Sequence, residues 1–108
     1  MTEAALTEAV YYILLSLLTP MHGYGIMQNA ETLSGGRVRL AAGTLYGALS
    51  TLVAKGWIEN IPDGGEAGRQ KKYRITRLGR EVLEGEWNRL GELYENGRML
   101  LKGEDRTI

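Results

Sequence analysis

The chain has 108 residues, no cysteine and a formal net charge of zero, which allows one domain with a modest core and excludes disulfides and thiolate metal sites. Its longest apolar run, residues 9–18, is shorter than the roughly 20 residues that a membrane-spanning helix needs. The N-terminus is acidic and does not resemble a secretory signal, so we expect a cytoplasmic protein that does not associate with a membrane.

Helical patterns occupy the first half of the chain. A helix is predicted over residues 3–18, where apolar residues recur at helical spacing, and Pro20 ends it. A second, shorter helix is expected over residues 22–34, and a third over residues 41–55, which Gly56 terminates. The apolar stripes consist of Leu6, Val10, Ile13 and Leu17 in the first helix and of Leu45, Leu49 and Leu52 in the third.

Two short strands are predicted after the third helix, over residues 57–62 and 70–76. In the second strand, Tyr73 and Ile75 alternate with basic residues. We therefore expect a hairpin with one apolar and one cationic face.

A long fourth helix is predicted over residues 77–102. Its apolar positions follow a 4-3-4-7 spacing, with Gly97 in the slot that would complete the series. Because little of the chain remains for it to pack against, this helix is typical of a dimerisation element. The alternative is a helix that folds back on its own domain. The apolar positions are Leu83, Trp87, Leu90, Tyr94 and Leu101.

The charges are unevenly distributed along these elements. Residues 37–80 contain nine basic and three acidic residues, and the rest of the chain contains four basic and ten acidic residues. A basic middle between acidic ends indicates a local anionic partner, although a solvated surface without a partner would have the same composition.

Three short helices followed by a hairpin are the parts of a winged helix-turn-helix. We expect a mostly α fold with a small β-hairpin, in which residues 1–76 form a DNA-binding domain and residues 77–108 a dimerisation helix. The second helix of a helix-turn-helix enters the DNA major groove, and here that helix is 41–55. Its predicted exposed positions are small or hydrogen-bonding and none is acidic. They are Ala42, Gly43, Thr44, Tyr46, Gly47, Ser50, Thr51 and Lys55.

The basic hairpin would then be the wing, which contacts phosphates or the minor groove. Such contacts contribute much of the affinity for DNA and make it salt-dependent. The predicted wing residues are Arg69, Gln70, Lys71 and Lys72.

Four segments, in this order and spacing, resemble the PadR family of transcriptional regulators. They are HGYGI at 22–26, GTLYGAL at 43–49, KGWIE at 55–59 and YRITRLGREVL at 73–83. The resemblance implies a homodimer paired through the first and last helices, binding to pseudo-palindromic double-stranded DNA, usually as a repressor, and release of the DNA by a small molecule. It places at the DNA His22, Tyr24, Thr44, Tyr46 and the wing residues 69–72, and in the dimer interface Leu6, Val10 and the apolar positions of the fourth helix.

The chain departs from that family at the start of the third helix. Similar proteins often have Ser-Pro where this chain has Ala41 and Ala42, and proline where it has Gly47. Because Ala41 cannot accept a side-chain capping bond, base specificity is the expectation that this departure weakens most.

Residues of the fourth helix allow two interpretations each. Arg77 and Arg80 either pair with Glu81 and Glu84 or contact phosphate beside the wing. Trp87 either belongs to an ordinary core or stacks on a planar effector. The resemblance implies that the aromatic residues lining such an effector cavity would be Tyr11, Tyr12, Trp87 and Tyr94.

An enzyme is not expected, because the chain has one histidine and no cysteine, and it contains no catalytic or metal-ligand pattern and no cofactor motif. A winged-helix module that binds another protein, without specific DNA binding, remains the alternative, since fold alone does not determine function. The absence of acidic and large apolar residues from the exposed face of the third helix favours DNA.

Overall fold

The computed structural model describes residues 5–62 and 71–103 and contains four helices and a three-stranded antiparallel sheet in its described part. This confirms the expected mostly α fold of the winged helix-turn-helix type. The helices are α1 (Glu8–Ser16), α2 (Gly23–Leu33), α3 (Ala42–Ala54) and α4 (Arg77–Leu101), and the strands are β1 (Met21–His22), β2 (Ile58–Ile61) and β3 (Lys72–Ile75). No helix among the described residues is long and apolar enough to span a membrane.

The first helix is shorter than the predicted range of 3–18. The backbone of Thr7 is extended, and its hydroxyl accepts a 3.1 Å hydrogen bond from the Val10 backbone N–H. Thr7 is therefore the N-cap, and the helix begins at Glu8. Residues 5–7 are therefore not helical, and residues 1–4 lie outside the described part. The helix ends at Ser16, and the backbone N–H of the buried Leu17 donates hydrogen bonds to the Ile13 and Leu14 carbonyl oxygens.

The sheet has one strand more than the predicted hairpin. The strand order is β1-β3-β2, with Met21 opposite Tyr73 and His22 opposite Lys72. A two-residue strand is too short to produce an alternating pattern, so β1 could not be recognised from the sequence. Its pairing also explains why α2 begins at Gly23 rather than at His22.

The helices α2 and α3 end next to the glycines that were predicted to terminate them. Gly35 and Gly36 follow α2 with φ angles of 66° and 89°, and Gly56 follows α3 with a φ angle of 79°, a backbone conformation that favours glycine. Ala41 precedes α3 without a side-chain capping bond, as predicted.

One apolar core joins α1, α2, α3, the sheet and the start of α4. Leu6 and Val10 are partly buried against it. The buried core residues are Ile13, Leu14, Leu17, Ile26, Leu45, Leu49, Leu52, Ile58, Tyr73 and Leu83.

The fourth helix packs against this core only at its beginning. The Thr76 hydroxyl accepts a 3.0 Å hydrogen bond from Gly79 N–H and donates a 2.6 Å bond to the Gly56 carbonyl, so it caps α4 and ties it to the end of α3. The buried residues of α4 are Gly79, Leu83 and Glu86. The described chain extends 64 Å along its longest axis, and its radius of gyration of 16.7 Å exceeds the roughly 13 Å of a compact domain of this size. The helix therefore does not fold back on its own domain.

Candidate nucleic-acid interface

The face of α3 opposite the core is exposed and small. Leu45, Leu49 and Leu52 are buried and Ala48 packs partly against the core, while the positions predicted to be exposed face solvent. This face carries hydroxyl groups and two glycines but no charged group before Lys55, so a polar surface could approach the helix backbone closely. The exposed residues are Ala42, Gly43, Thr44, Tyr46, Gly47, Ser50, Thr51 and Lys55.

Pairing between β1 and β3 brings the start of α2 beside the base of the wing. His22 lies opposite Lys72 in the ladder, and its Nδ1 is 3.3 Å from the Lys71 carbonyl oxygen. These residues are far apart in sequence, and the strand that brings them together was not recognised from the sequence.

The Tyr46 side chain joins α3 to the same surface. Its ring lies against Gly23, where an added Cβ would be 2.7 Å from the ring atom Cζ. Glycine at position 23 therefore leaves room for this tyrosine.

A cleft of about 390 Å³ results, and five of the residues predicted to contact DNA line it. Tyr24 is 68% exposed at its edge, and its phenol oxygen accepts a 3.4 Å bond from Gln28. Burial, and to a lesser extent Tyr46, raise the pKa of Tyr73 at the base of the cleft. The lining residues are His22, Gly23, Tyr24, Tyr46, Ser50, Lys71 and Tyr73.

Other predicted residues are not part of this cleft. Lys55 follows the last residue of α3, about 20 Å along the helix from Ala42, and its ammonium lies 4.9 Å from the centre of the Trp57 ring. Ala42 and Thr44 are exposed near the start of α3 without lining the cleft. Arg69 and Gln70 lie outside the described residues.

Ion pairs neutralise part of the basic middle of the chain. Two of the carboxylates come from the acidic N-terminal third, namely Glu8 and Glu31, so the asymmetry counted along the sequence overstates the local positive charge. The interpretation that Arg77 and Arg80 pair within α4 is confirmed. The pairs are Arg37–Glu8, Arg39–Glu31 at 3.4 Å, Arg74–Glu59 at 2.7 Å, Arg77–Glu81 at 3.8 Å and Arg80–Glu84 at 3.3 Å.

A second, smaller hollow of about 180 Å³ lies between α1 and α4. Two of the four predicted effector-binding aromatics, Tyr11 and Trp87, line it. Tyr12 meets Tyr11 edge-on with ring centres 6.0 Å apart, and Tyr94 is 71% exposed further along α4. Trp87 is 64% exposed, so it is not core within its own chain. The hollow is lined by Tyr11, Leu15, Leu18, Arg80, Leu83, Glu84 and Trp87.

Glu86 is a buried carboxylate that the sequence analysis did not single out. It accepts hydrogen bonds of 2.9 and 2.7 Å from Arg89 and another from the Leu6 backbone. The bond from Arg89 holds the pKa of Glu86 below its usual value, despite the opposing effect of burial. The Glu–Arg spacing of three was visible in the sequence, but the contact with Leu6 depends on the tertiary fold.

These elements, in this order and with this sheet, define a protein of the winged helix-turn-helix class. The chain belongs to the transcriptional regulator PadR-like family, whose model matches residues 13–85. Members of this family are transcriptional regulators and not enzymes.

One curated protein is similar to this chain in sequence. An uncharacterized 37.1 kDa protein in transposon TN4556 of Streptomyces fradiae is 42% identical over 74 residues, which are 68% of this chain, and the chain spans only about a fifth (20%) of that relative.

Solved structures show the same likeness. A putative transcriptional regulator from Thermoplasma acidophilum is 28% identical with a TM-score of 0.67, over 87% of this chain and 90% of that one. A PadR family transcriptional regulator from Eggerthella lenta is 27% identical with a TM-score of 0.66, over 85% and 80%.

Proposed function

We propose that this protein is a sequence-specific DNA-binding regulator that represses transcription as a homodimer on a pseudo-palindromic operator. The exposed face of α3 would enter the major groove, with Thr44, Tyr46 and Ser50 near the bases. A protein with this role acts on the chromosome, so the proposal places it in the cytoplasm.

The observation that carries the proposal is the pairing of His22 with Lys72. Through this pair, the start of α2, the exposed half of α3 and the base of the wing form one continuous surface. Helix N-termini, hydroxyls and lysines are the groups that bind phosphate. Tyr24 and Lys71 on the rim of the cleft are therefore proposed to position the duplex, together with Lys72, Arg69 and Gln70 of the wing.

The second half of α4 is proposed to form the dimer. Apolar side chains exposed at this density along one helix favour an interaction surface. We propose Leu6, Val10, Leu83, Trp87, Leu90, Tyr94 and Leu101 for this interface, with residues 1–76 as the DNA-binding unit and residues 77–108 as the dimerisation unit. A twofold-symmetric dimer binds two half-sites about one helical turn apart.

Release of the DNA is proposed to follow from a planar aromatic effector that stacks on Trp87 and Tyr94, with Tyr11 and Tyr12 nearby. The chain has two tryptophans, Trp57 and Trp87. A planar compound that stacks on Trp87 in the dimer should quench the fluorescence of the wild-type protein more strongly than that of Trp87→Phe, which retains only Trp57. Equal quenching of the two proteins would contradict this assignment.

Selection of random duplex DNA by the purified protein, at two salt concentrations, tests DNA binding. We expect enrichment of an inverted repeat and weaker retention at the higher salt. Retention without an enriched sequence would contradict specific recognition. No retention at the lower salt would favour the protein-binding alternative.

Variants of the wing test whether DNA binding depends on this surface or on positive charge anywhere in the protein. Lys71→Ala/Lys72→Ala should reduce the slope of log affinity against log salt by about 1 for each phosphate that the variant no longer neutralises. Lys102→Ala is the control, because it also removes a positive charge but lies at the far end of α4. An unchanged slope in the double variant would contradict the wing assignment.

A further inference from the structure

The exposed face of α3 lacks the long polar side chains that form the standard contacts with bases. Between Arg39 and Lys55 the chain contains no acidic, basic or amide side chain and no histidine. In the major groove, arginine or lysine identifies guanine, asparagine or glutamine identifies adenine, and a carboxylate identifies cytosine. None of these three pairings is available to a side chain of residues 40–54.

Methyl groups and hydroxyls are what this face presents instead. Ala42 and Thr44 are exposed in the first turn of α3, the part of the helix that reaches base edges in helix-turn-helix proteins. Alanine and the threonine methyl group contact the C5 methyl of thymine, whereas a hydroxyl bonds to several different bases. The contact that can identify a base at the start of α3 is therefore the one between methyl groups.

We propose that α3 reads its half-site mainly through thymine methyl groups, with Thr44 as the residue that carries the contact. This inference rests on the proposed DNA binding and adds the kind of base that is read. It predicts A·T pairs in the part of each half-site that faces the start of α3. Because T·A and A·T pairs present the methyl group at different places in the major groove, the contact also determines which strand carries the thymine.

The other hydroxyls of α3 do not replace the missing side chains. The Thr51 hydroxyl donates a 3.2 Å hydrogen bond to the Gly47 carbonyl oxygen, and the Tyr46 hydroxyl lies against Gly23 at the start of α2. Ser50 lines the cleft beside Tyr46, about 120° around the helix from Thr44. A single hydroxyl cannot form the bidentate contact that identifies guanine or adenine.

Space around Thr44 suits a close approach to the base. Gly43 and Gly47 are its neighbours on the exposed face, and nothing lies within 4 Å of a Cβ built at either position. The helix backbone can therefore come near the floor of the groove. Contact between two methyl groups requires this, because their carbon atoms must come within about 4 Å of each other.

The basic residues at the two ends of α3 already have partners within the protein. The Lys55 ammonium lies over the Trp57 ring at the far end of the helix. Arg39, which precedes the start of α3 by three residues, pairs with Glu31 at 3.4 Å. Its side chain is nevertheless 73% exposed, so recognition of guanine by Arg39 is the competing arrangement that an experiment has to distinguish.

Uracil in place of thymine tests the inference, because uracil pairs in the same way and lacks only the C5 methyl. The probe is the duplex most enriched in the random selection, remade with uracil at one thymine position at a time. At positions that face α3 we expect about fourfold weaker binding in a fluorescence anisotropy titration, the effect of leaving one methyl group exposed. Uracil outside the half-sites is the control and should leave the affinity unchanged.

A matched pair of substitutions separates the methyl of Thr44 from its hydroxyl. Thr44→Ser keeps the hydroxyl and removes the methyl, whereas Thr44→Val keeps a methyl and removes the hydroxyl. Thr44→Ser should bind the thymine duplex about fourfold more weakly and should no longer distinguish it from the uracil duplex at one position. Thr44→Val should retain the distinction. The opposite order would assign the contact to the hydroxyl and overturn the inference.

The remaining outcomes separate this inference from the proposed function. An enriched inverted repeat that binds equally well with uracil would refute methyl recognition, while specific DNA binding would stand. The same conclusion would follow from an enriched guanine whose preference is lost in Arg39→Ala. Selection without any enriched sequence would overturn both the inference and sequence-specific regulation.

Discussion

Replacing Gly79 by alanine should destabilise the fold although it improves helix propensity. A Cβ at this position would overlap the Trp57 carbonyl oxygen and lie 2.8 Å from its carbon and 2.9 Å from Ile75 Cγ1. The first two of these atoms belong to the backbone, which cannot move like the end of a flexible side chain. The Trp57 carbonyl also accepts a 2.9 Å hydrogen bond from Thr76 N–H, so any displacement disturbs the start of α4.

The magnitude follows from three contributions. Overpacking costs about 1–3 kcal/mol, and loss of the Thr76–Trp57 hydrogen bond costs about 0.5–1.5 kcal/mol. Alanine is about 1 kcal/mol more favourable than glycine in a helix, which offsets part of this cost. We therefore expect a net loss of roughly 0.5–3.5 kcal/mol, compared with the roughly 5–15 kcal/mol by which a domain is stable.

Gly85→Ala is the matched control in the same helix. Nothing lies within 4 Å of its Cβ, so only the gain in propensity, up to about 1 kcal/mol, should remain. Urea unfolding followed by circular dichroism measures both variants, at equal protein concentrations because dimerisation would change the apparent stability. If Gly79→Ala proves as stable as Gly85→Ala, the close packing of α4 on the Trp57 backbone is wrong.

Three further substitutions test the cap of α3, the cleft and the buried carboxylate. Ala41→Ser should stabilise the protein by about 1 kcal/mol in urea unfolding by adding the missing N-terminal cap; no gain would contradict the capping argument. Gly23→Ala should displace the Tyr46 ring and weaken DNA binding in a fluorescence anisotropy titration, whereas Gly25→Ala, whose Cβ would lie 3.4 Å from the nearest atom, should not; equal losses would contradict the role of Tyr46. The pKa of Glu86 is lowered in the folded state, so the unfolded chain binds its proton first as pH falls. The stability that Glu86 contributes is complete above pH 4.5, its ordinary pKa, and is lost as pH falls through the lowered value. Glu86→Gln should flatten the decline of unfolding free energy with pH in this range, and an unchanged decline would contradict the assignment.

Local chemistry explains what could be predicted from the sequence. The limits of α3 follow from its periodic leucines and from Gly56, whose positive φ angle glycine favours. The apolar and cationic faces of β3 follow from strict alternation of Tyr73 and Ile75 with Lys72 and Arg74. Each of these signals depends on neighbours in sequence, so no knowledge of the tertiary fold is needed to read it.

Features that depend on contacts distant in sequence could not be predicted. The strand β1 consists of two residues and exists because β3 pairs with it. The Arg37–Glu8 pair joins the start of α1 to the loop before α3, and no periodic pattern connects these positions. The cleft at the candidate interface depends on such a contact too, because Tyr46 and Gly23 meet only when α2 and α3 pack together.

The start of α4 links the proposed DNA-binding helix, α3, to the proposed dimerisation helix. Thr76 bonds to Trp57 through its backbone and to Gly56 through its hydroxyl, and Gly56 and Trp57 come just after Lys55, the C-cap of α3. The direction in which α4 leaves the core is therefore tied to the end of the proposed recognition helix. In the proposed homodimer, that direction would determine the distance and orientation between the two α3 helices. The spacing of operator half-sites should thus depend on the packing of Gly79 as much as on residues that touch DNA.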